Sequence, residues 1–309
     1  MSSGGGNSRG DAGPARVVPS MDHLAVIGFQ GPDAREFLGR QLTCDVQGLA
    51  AGTHRTGAWL TAKGRALTLM TLFDAGDGEL RAVLPAALAD DVVRRLGMFV
   101  LRDDVRVQRL DELAVAGALG TAPDADGGTG LPAALALTRG DPALTLQVGR
   151  PADVARWCQT LRDDGAVDGS AADWTLAMIR AGLPDLRVET RDEFLPQMLN
   201  LDRLGGVSFT KGCYPGQEIV ARTQHLGRIK RRMFPLRGPE QPVAAPGDAI
   251  YLAGGSAPVG RVLLAAPADQ HQELLAALSL EARDSGTALC LGEQGPPLAE
   301  MALPYPLED

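Results

Sequence analysis

Residues 205–222 read G-G-V-S-F-T-K-G-C-Y-P-G-Q-E-I-V-A-R, and this stretch decides how the rest of the chain is read. Gly212, Pro215 and Gly216 fall too close together for a helix to pass, because glycine loosens the backbone and proline removes a donor. A turn is expected over 211–216, where the backbone can approach a ligand closely. Residues 217–222 turn apolar again and enter a regular element. Lys211 offers a mobile cation for a carboxylate. A cation beside Cys213 would lower the thiol pKa and favour the nucleophilic thiolate. Gln217 and Glu218 carry donors and acceptors suited to the edge of a heterocycle. Cys213 reads equally as a small buried apolar residue, and Gly-Pro clusters are commonly plain turns.

The string K-G-C-Y-x-G-Q-E at 211–218 resembles the signature of the YgfZ-type folate-binding proteins, relatives of the glycine cleavage T-protein, an aminomethyltransferase. The preceding run F-L-P-Q-M-L-N-L at 194–201 resembles the F-x-P-Q-x-x-N-L of the same family. So do G-P-D-A-R-E-F-L-G-R-Q-L-T-C-D-V at 31–46, W-L-T-A-K-G-R-A-L at 59–67 and W-T-L-A-M-I-R-A-G-L-P at 174–184. The resemblance covers nearly all of the chain beyond the first twenty residues and is loosest toward the C-terminus. It implies a reduced folate as cofactor, tetrahydrofolate or a one-carbon-substituted form. It also implies iron–sulfur client or assembly proteins as partners, and an indirect part in tRNA thiolation.

Site residues follow from it one by one. Trp174 would face the pterin ring, with a core aromatic as the alternative. Gln197, Asn200, Tyr214, Gln217, Glu218 and Arg222 would contact the folate, while Lys211 and Cys213 would carry any thiol chemistry. Thr43 and Asp45 would border the central cavity or else serve the helix end. The sequence departs from the family twice. Leu24 takes the place of a second folate-lining tryptophan. Leu67 and Thr68 fall where aminomethyltransferases place an acid near the folate nitrogens. The alternative function, a folate-dependent aminomethyl transferase, needs such a proton-steering group.

Length and composition bound the rest. A chain of 309 residues suits two or three domains, and 45% hydrophobic residues permit a sizeable core. Aromatics are 4%, so Leu, Val, Ala and Met must fill it. The net charge of −8 argues against a broad nucleic-acid face, and no stable nucleic-acid binding is expected. Arg222, Arg228, Lys230, Arg231 and Arg232 form a local basic run that reads as a solvated strand or turn. Lysine occurs only at 63, 211 and 230, which makes Lys211 conspicuous. Cys44, Cys158, Cys213 and Cys290 are far apart with no histidine at ligand spacing, so no metal site is expected. The cysteines suit a reduced, cytoplasmic protein, and no apolar run reaches the length of a membrane span.

Along the chain, residues 1–20 read as a disordered leader and 21–229 as an α+β core with a break near 105–130. Residues 230–309, rich in short strands and Gly/Pro turns, read as a small C-terminal β-barrel. Strand, helix, strand recurs twice in the core, which fits duplicated ferredoxin-like antiparallel sheets better than alternating βαβ units. Strands are expected at 23–29, on both sides of the turn 62–64, and at 80–84, 105–110, 113–119 and 143–148. Helices are expected from Pro32, over 86–98, from Pro151 and over 173–181. Residues 121–130 read as a loop. Residues 274–280 have helical propensity, but the family resemblance makes them a strand.

Overall fold

The structure, a computed structural model, describes residues 15–18, 20–74, 76, 78–120, 134–138 and 143–307. The loop expected over 121–130 and most of the expected leader lie outside the described residues. In chain order, β1 (Arg16–Val18) and β2 (Leu24–Gln30) precede α1 (Ala34–Gly39). Strands β3 (His54–Leu60), β4 (Ala66–Asp74) and β5 (Leu80–Pro85) lead into α2 (Ala86–Gly97). Then come β6 (Arg106–Arg109), β7 (Ala114–Leu119), β8 (Ala134–Thr138), β9 (Leu144–Gly149), α3 (Pro151–Asp163), β10 (Val167–Asp168) and α4 (Ala171–Arg180). After the short helix α5 (Gln217–His225) run β11 (Arg231–Pro239), β12 (Ala249–Leu252), β13 (Pro258–Ala268) and β14 (His271–Ser279). The chain finishes with α6 (Leu280–Asp284), β15 (Leu289–Leu291) and β16 (Pro297–Glu300).

These elements form two five-stranded sheets and a closed barrel, the expected α+β architecture. The first sheet has the order β3-β4-β5-β2-β6 and is antiparallel throughout. Its near-continuous apolar strands are covered by α1 and α2, whose Phe37, Leu38, Leu88, Val92 and Leu96 pack on Ile27, Phe29, Met70 and Leu72. The second sheet has the order β10-β1-β7-β9-β8 and is antiparallel except for the β1–β10 pair. Helix α3 opens with Pro151 in its first turn and buries Val154, Trp157, Cys158 and Leu161 against that sheet. Strand β1 corrects the leader expected over 1–20. Arg16, Val17 and Val18 pair with β7, and Val17 and Val18 are buried. Three residues are too short for the alternation that marks a strand in sequence.

Helix α4 begins earlier than the expected 173. Ser170 and Asp173 form a capping box, each side chain bonding the other's backbone N–H. The barrel closes in the order β11-β14-β13-β12-β15-β16. The strand expected over 274–280 is β14, and Leu280 instead opens α6, capped by Ser279, which accepts from the Ala282 N–H. A shared apolar core joins barrel and sheets: Met233, Leu263 and Leu275 pack with Leu60, Phe194 and Leu199. Two charged forks reinforce that joint. Arg232 donates to both Asp202 oxygens at 2.6 and 2.8 Å, and Arg180 to both Glu273 oxygens at 2.8 and 2.9 Å. Arg232 is therefore no part of a solvated basic run; it is buried and paired.

Candidate functional site

The strands and loops enclose a cavity of about 470 Å³ between the two sheets, within the range of small-molecule sites. Helix α4 contributes Trp174 and Met178, four residues apart on one face. Strand β2 and the residue before it contribute Leu24 and His23, β5 gives Val83, Leu84 and Pro85, and the second sheet gives Leu137 and Leu146. The edge strand β3 presents His54, Arg55 and Thr56, and β4 presents Leu69 and Thr71. The connections supply Gly48, Ala50 and Thr53 on one side and Leu183, Pro184, Asp185, Leu201, Leu204 and Gly205 on the other. The interior is thus apolar, with a few polar groups that can fix orientation.

Trp174 is 2% exposed, and the edge of its indole presses on β7. A Cβ at Gly117 would fall 2.7 Å from the ring, so glycine there makes the room. Trp174 is both a core residue and a cavity wall. It is the one aromatic side chain among the residues that line the cavity, and Leu24 lines it as well. Leu67 is buried in the core under the first sheet, and Thr68 is buried with its hydroxyl on the Leu69 carbonyl oxygen. Strand β4 therefore brings Leu69 and Thr71 to the wall and no carboxylate.

The carboxyl in the wall is Asp185. It accepts from the Leu186 N–H at 2.8 Å and from Arg187 at 2.7 Å. Burial pushes this carboxyl up from the ordinary range against the pull of Arg187. Burial lowers His54, and burial with the Arg187 charge lowers His23, so both rings favour the neutral form. His23, His54, Arg55 and Asp185 were not singled out in the sequence. Each is a single polar residue with no local motif around it.

The signature turn lies beside the cavity and does not line it beyond Gly205. Gly206 accepts from the Thr43 hydroxyl at 2.6 Å, and the Ser208 N–H donates to the Thr43 carbonyl at 2.8 Å. Thr43 is fully buried as this joint, and Asp45 accepts from the N–H groups of Gln47 and Gly48 at 3.1 and 3.3 Å. Lys211 donates to the Gly39 carbonyl at the end of α1, and its ammonium lies 4.6 Å from the Tyr214 ring centroid. Burial lowers the Lys211 pKa, while the thiols of Cys44 and Cys213 and the Asp45 carboxylate pull it upward. Cys213 is exposed, whereas Cys44, Cys158 and Cys290 are buried. Burial pushes the Cys44 thiol up to about 11.

The remaining expected contacts lie elsewhere. Gln217, Glu218 and Arg222 sit on α5, outside the cavity wall. Gln197 and Asn200 are fully buried joints. Gln197 donates its side-chain amide to the Val220 carbonyl at 2.8 Å, and its backbone carbonyl accepts from Arg232. Asn200 adopts a left-handed backbone (φ 56°), donates to the Met233 carbonyl at 2.8 Å, and accepts from the Met233 N–H at 3.3 Å. Among the described residues, no group of three His, Cys, Asp or Glu side chains is placed to hold a metal ion. No described helix is long and apolar enough to cross a membrane.

No family model matches the chain. A tRNA-modifying protein YgfZ from Cronobacter sakazakii is 30% identical over 316 aligned positions, covering 94% of this chain and 93% of that protein. The corresponding protein from Klebsiella pneumoniae is 29% identical over 309 positions, covering 95% and 94%. Among solved structures, the glycine cleavage system aminomethyltransferase T of Bartonella henselae superposes with a TM-score of 0.73. That match has 18% identity and covers 94% of this chain and 86% of the other, a likeness of fold.

Proposed function

We propose that this chain, which belongs to the YgfZ family of tRNA-modifying proteins, binds a reduced folate and supports the assembly or repair of iron–sulfur proteins. Tetrahydrofolate or a one-carbon-substituted form occupies the cavity, and tRNA modification depends on the protein indirectly, through iron–sulfur clients. The observation that carries this reading is the cavity itself. It is a concave, largely apolar space of about 470 Å³ in a T-protein-like fold, with the Trp174 indole in its wall. The pterin ring lies against Trp174, and the Asp185 carboxyl and the hydroxyls of Thr56 and Thr71 meet its polar edge. Lys211 and Cys213 act outside the cavity, at the exposed turn where a protein partner can reach the thiol. The protein works in the cytoplasm, without stable nucleic-acid binding.

The reading as an accessory protein in place of an aminomethyl transferase is supported by β4, which offers Leu69 and Thr71 to the cavity and no acid to steer protons at the folate nitrogens. The test uses cells lacking their own YgfZ-type protein. Expression of this chain should restore iron–sulfur enzyme activity and tRNA thiolation, and the purified protein should give no aminomethyl transfer with glycine-cleavage partners. Failure to restore either activity contradicts the accessory role, and sustained turnover in the transfer assay replaces it with the transferase.

A further inference from the structure

Helix α5 turns an apolar edge outward. Ile219 is 38% exposed, and Leu226, the C-cap residue, is 86% exposed. Arg222 and Thr223 fall between them at the three- and four-residue steps, so the four side chains share one stripe of the helix. The backbone under this stripe is fixed. The Leu226 and Gly227 N–H groups both donate to the Arg222 carbonyl, at 3.0 and 2.8 Å, and the His225 ring meets Phe209 edge-on with centroids 5.7 Å apart. Leu226 therefore stands in solvent on a closed helix end. At the other end Ile219 packs over the A-K-G turn, where a Cβ at Gly64 would fall 3.2 Å from its own Cβ.

The rim of the stripe is basic in an acidic chain. Residues 217–231 hold Arg222, Arg228, Lys230 and Arg231 against the single carboxylate of Glu218, while the whole chain carries −8. All four cations are exposed, and among the described residues none of them meets a carboxylate. Exposed arginines elsewhere do find partners: Arg150 meets Asp153 at 2.9 Å and Arg283 meets Glu300 at 2.8 Å. Lys63, exposed beside Gly64, adds another unpaired charge at the Ile219 end. Two aliphatic side chains between fixed cations are complementary to apolar residues flanked by carboxylates. The stripe holds no aromatic ring on which a base could stack, and the negative chain repels a polyanion, so the face suits protein over RNA.

We propose that this face of α5 docks an acidic, amphipathic segment of a protein partner, whose apolar side chains meet Ile219 and Leu226 and whose carboxylates meet Lys63, Arg222 and Arg228. The inference rests on the accessory reading, in which a partner reaches the Cys213 thiol, and it names the chemistry of that partner. Cys213 is exposed and lies four residues before the helix. Seven residues of helix span about 10 Å, so a segment lying along the stripe runs toward the turn that holds the thiol. The carboxylates steer the encounter, and the aliphatic contacts hold the complex.

The test uses the full chain in cells lacking their own YgfZ-type protein. Leu226→Asp and Arg228→Glu should each lower the restored iron–sulfur enzyme activity by about fivefold or more, while Leu226→Met and Arg228→Lys keep it. All four variants should match the wild type in thermal midpoint and in tetrahydrofolate affinity. A photocrosslinking p-benzoylphenylalanine in place of Thr223, between the two anchors, should join to an iron–sulfur or cluster-assembly protein. Mass spectrometry of that adduct should find the joined peptide richer in Asp and Glu than in Lys and Arg. Full restoration by either Leu226→Asp or Arg228→Glu overturns the docking surface and leaves the accessory role standing. A lost activity that comes with a lowered midpoint overturns it too, as the mark of a structural role. So do adducts only with RNA, with a second copy of this chain or with a basic peptide, and so does the absence of any adduct. If the wild type itself restores nothing, the accessory reading fails and the docking surface fails with it.

Discussion

Gly216 of the signature turn lies against Gly64 of the A-K-G turn: a Cβ at Gly216 would stand 2.7 Å from the Gly64 Cα and 2.6 Å from the Thr61 carbonyl oxygen. Both glycines have positive φ, 79° and 73°. The contact sets the start of α5 against the first sheet's β3–β4 connection, so two motifs far apart in sequence are one structural joint. Gly216→Ala would meet backbone atoms and a left-handed conformation at once. It should lower unfolding stability by about 2 kcal/mol or more in a denaturant titration. An unchanged midpoint would mean that the two turns separate freely.

The sequence made such turns legible because glycine and proline mark backbone geometry locally. It also made α2, α3 and the barrel legible, since periodicity and short strands are local properties. What it hid was non-local. Asn200 and Gln197 look like ligand contacts because they are polar and lie in a motif, yet their partners are Met233, Val220 and Arg232, from other elements. His54, Arg55 and Asp185 reach one cavity from two separate segments, and no spacing rule joins them. Trp174 was legible only as either core or site, and it is wall to both.

Tyr305 ties the C-terminal segment to the cavity wall. Its hydroxyl donates to the Gly182 carbonyl at 2.7 Å, accepts from Asn200 at 3.3 Å, and is pushed up to about 12 by burial. Gly182 leads into Leu183, Pro184 and Asp185, and Asn200 leads into Leu201, so one phenol braces two segments that line the cavity. Tyr305→Phe should cost about 1 kcal/mol of stability and weaken folate binding severalfold. A variant matching the wild type in both thermal midpoint and affinity would remove Tyr305 from this role.

The cavity histidines give stability a pH dependence of definite sign. Burial holds His54 below its ordinary value of 6.5. The unfolded chain therefore takes up a proton that the folded chain refuses. Stability present above about 6.5 is lost as the pH falls through the folded value. The thermal midpoint of the wild type should drop between about pH 7 and about pH 5 more steeply than that of His54→Gln. Parallel curves would show that His54 does not contribute.

Exposure alone ranks the thiols. Cys213 is exposed, while the other three cysteines are buried and burial raises Cys44 and Cys158. Iodoacetamide near neutral pH should label Cys213 first, with the others following only on unfolding. Cys213→Ser should keep the fold and the folate affinity but fail to restore iron–sulfur enzyme activity in cells. If it restores that activity fully, the thiol is dispensable and the turn acts through its backbone.

Anaerobic titration with tetrahydrofolate, read by heat and by tryptophan fluorescence, tests directly whether the cavity holds a reduced folate. The prediction is saturable binding of one ligand per chain, with quenching that is mostly lost in Trp174→Phe and an affinity about fivefold weaker in that variant. No saturable heat and no quenching in the wild type would contradict it.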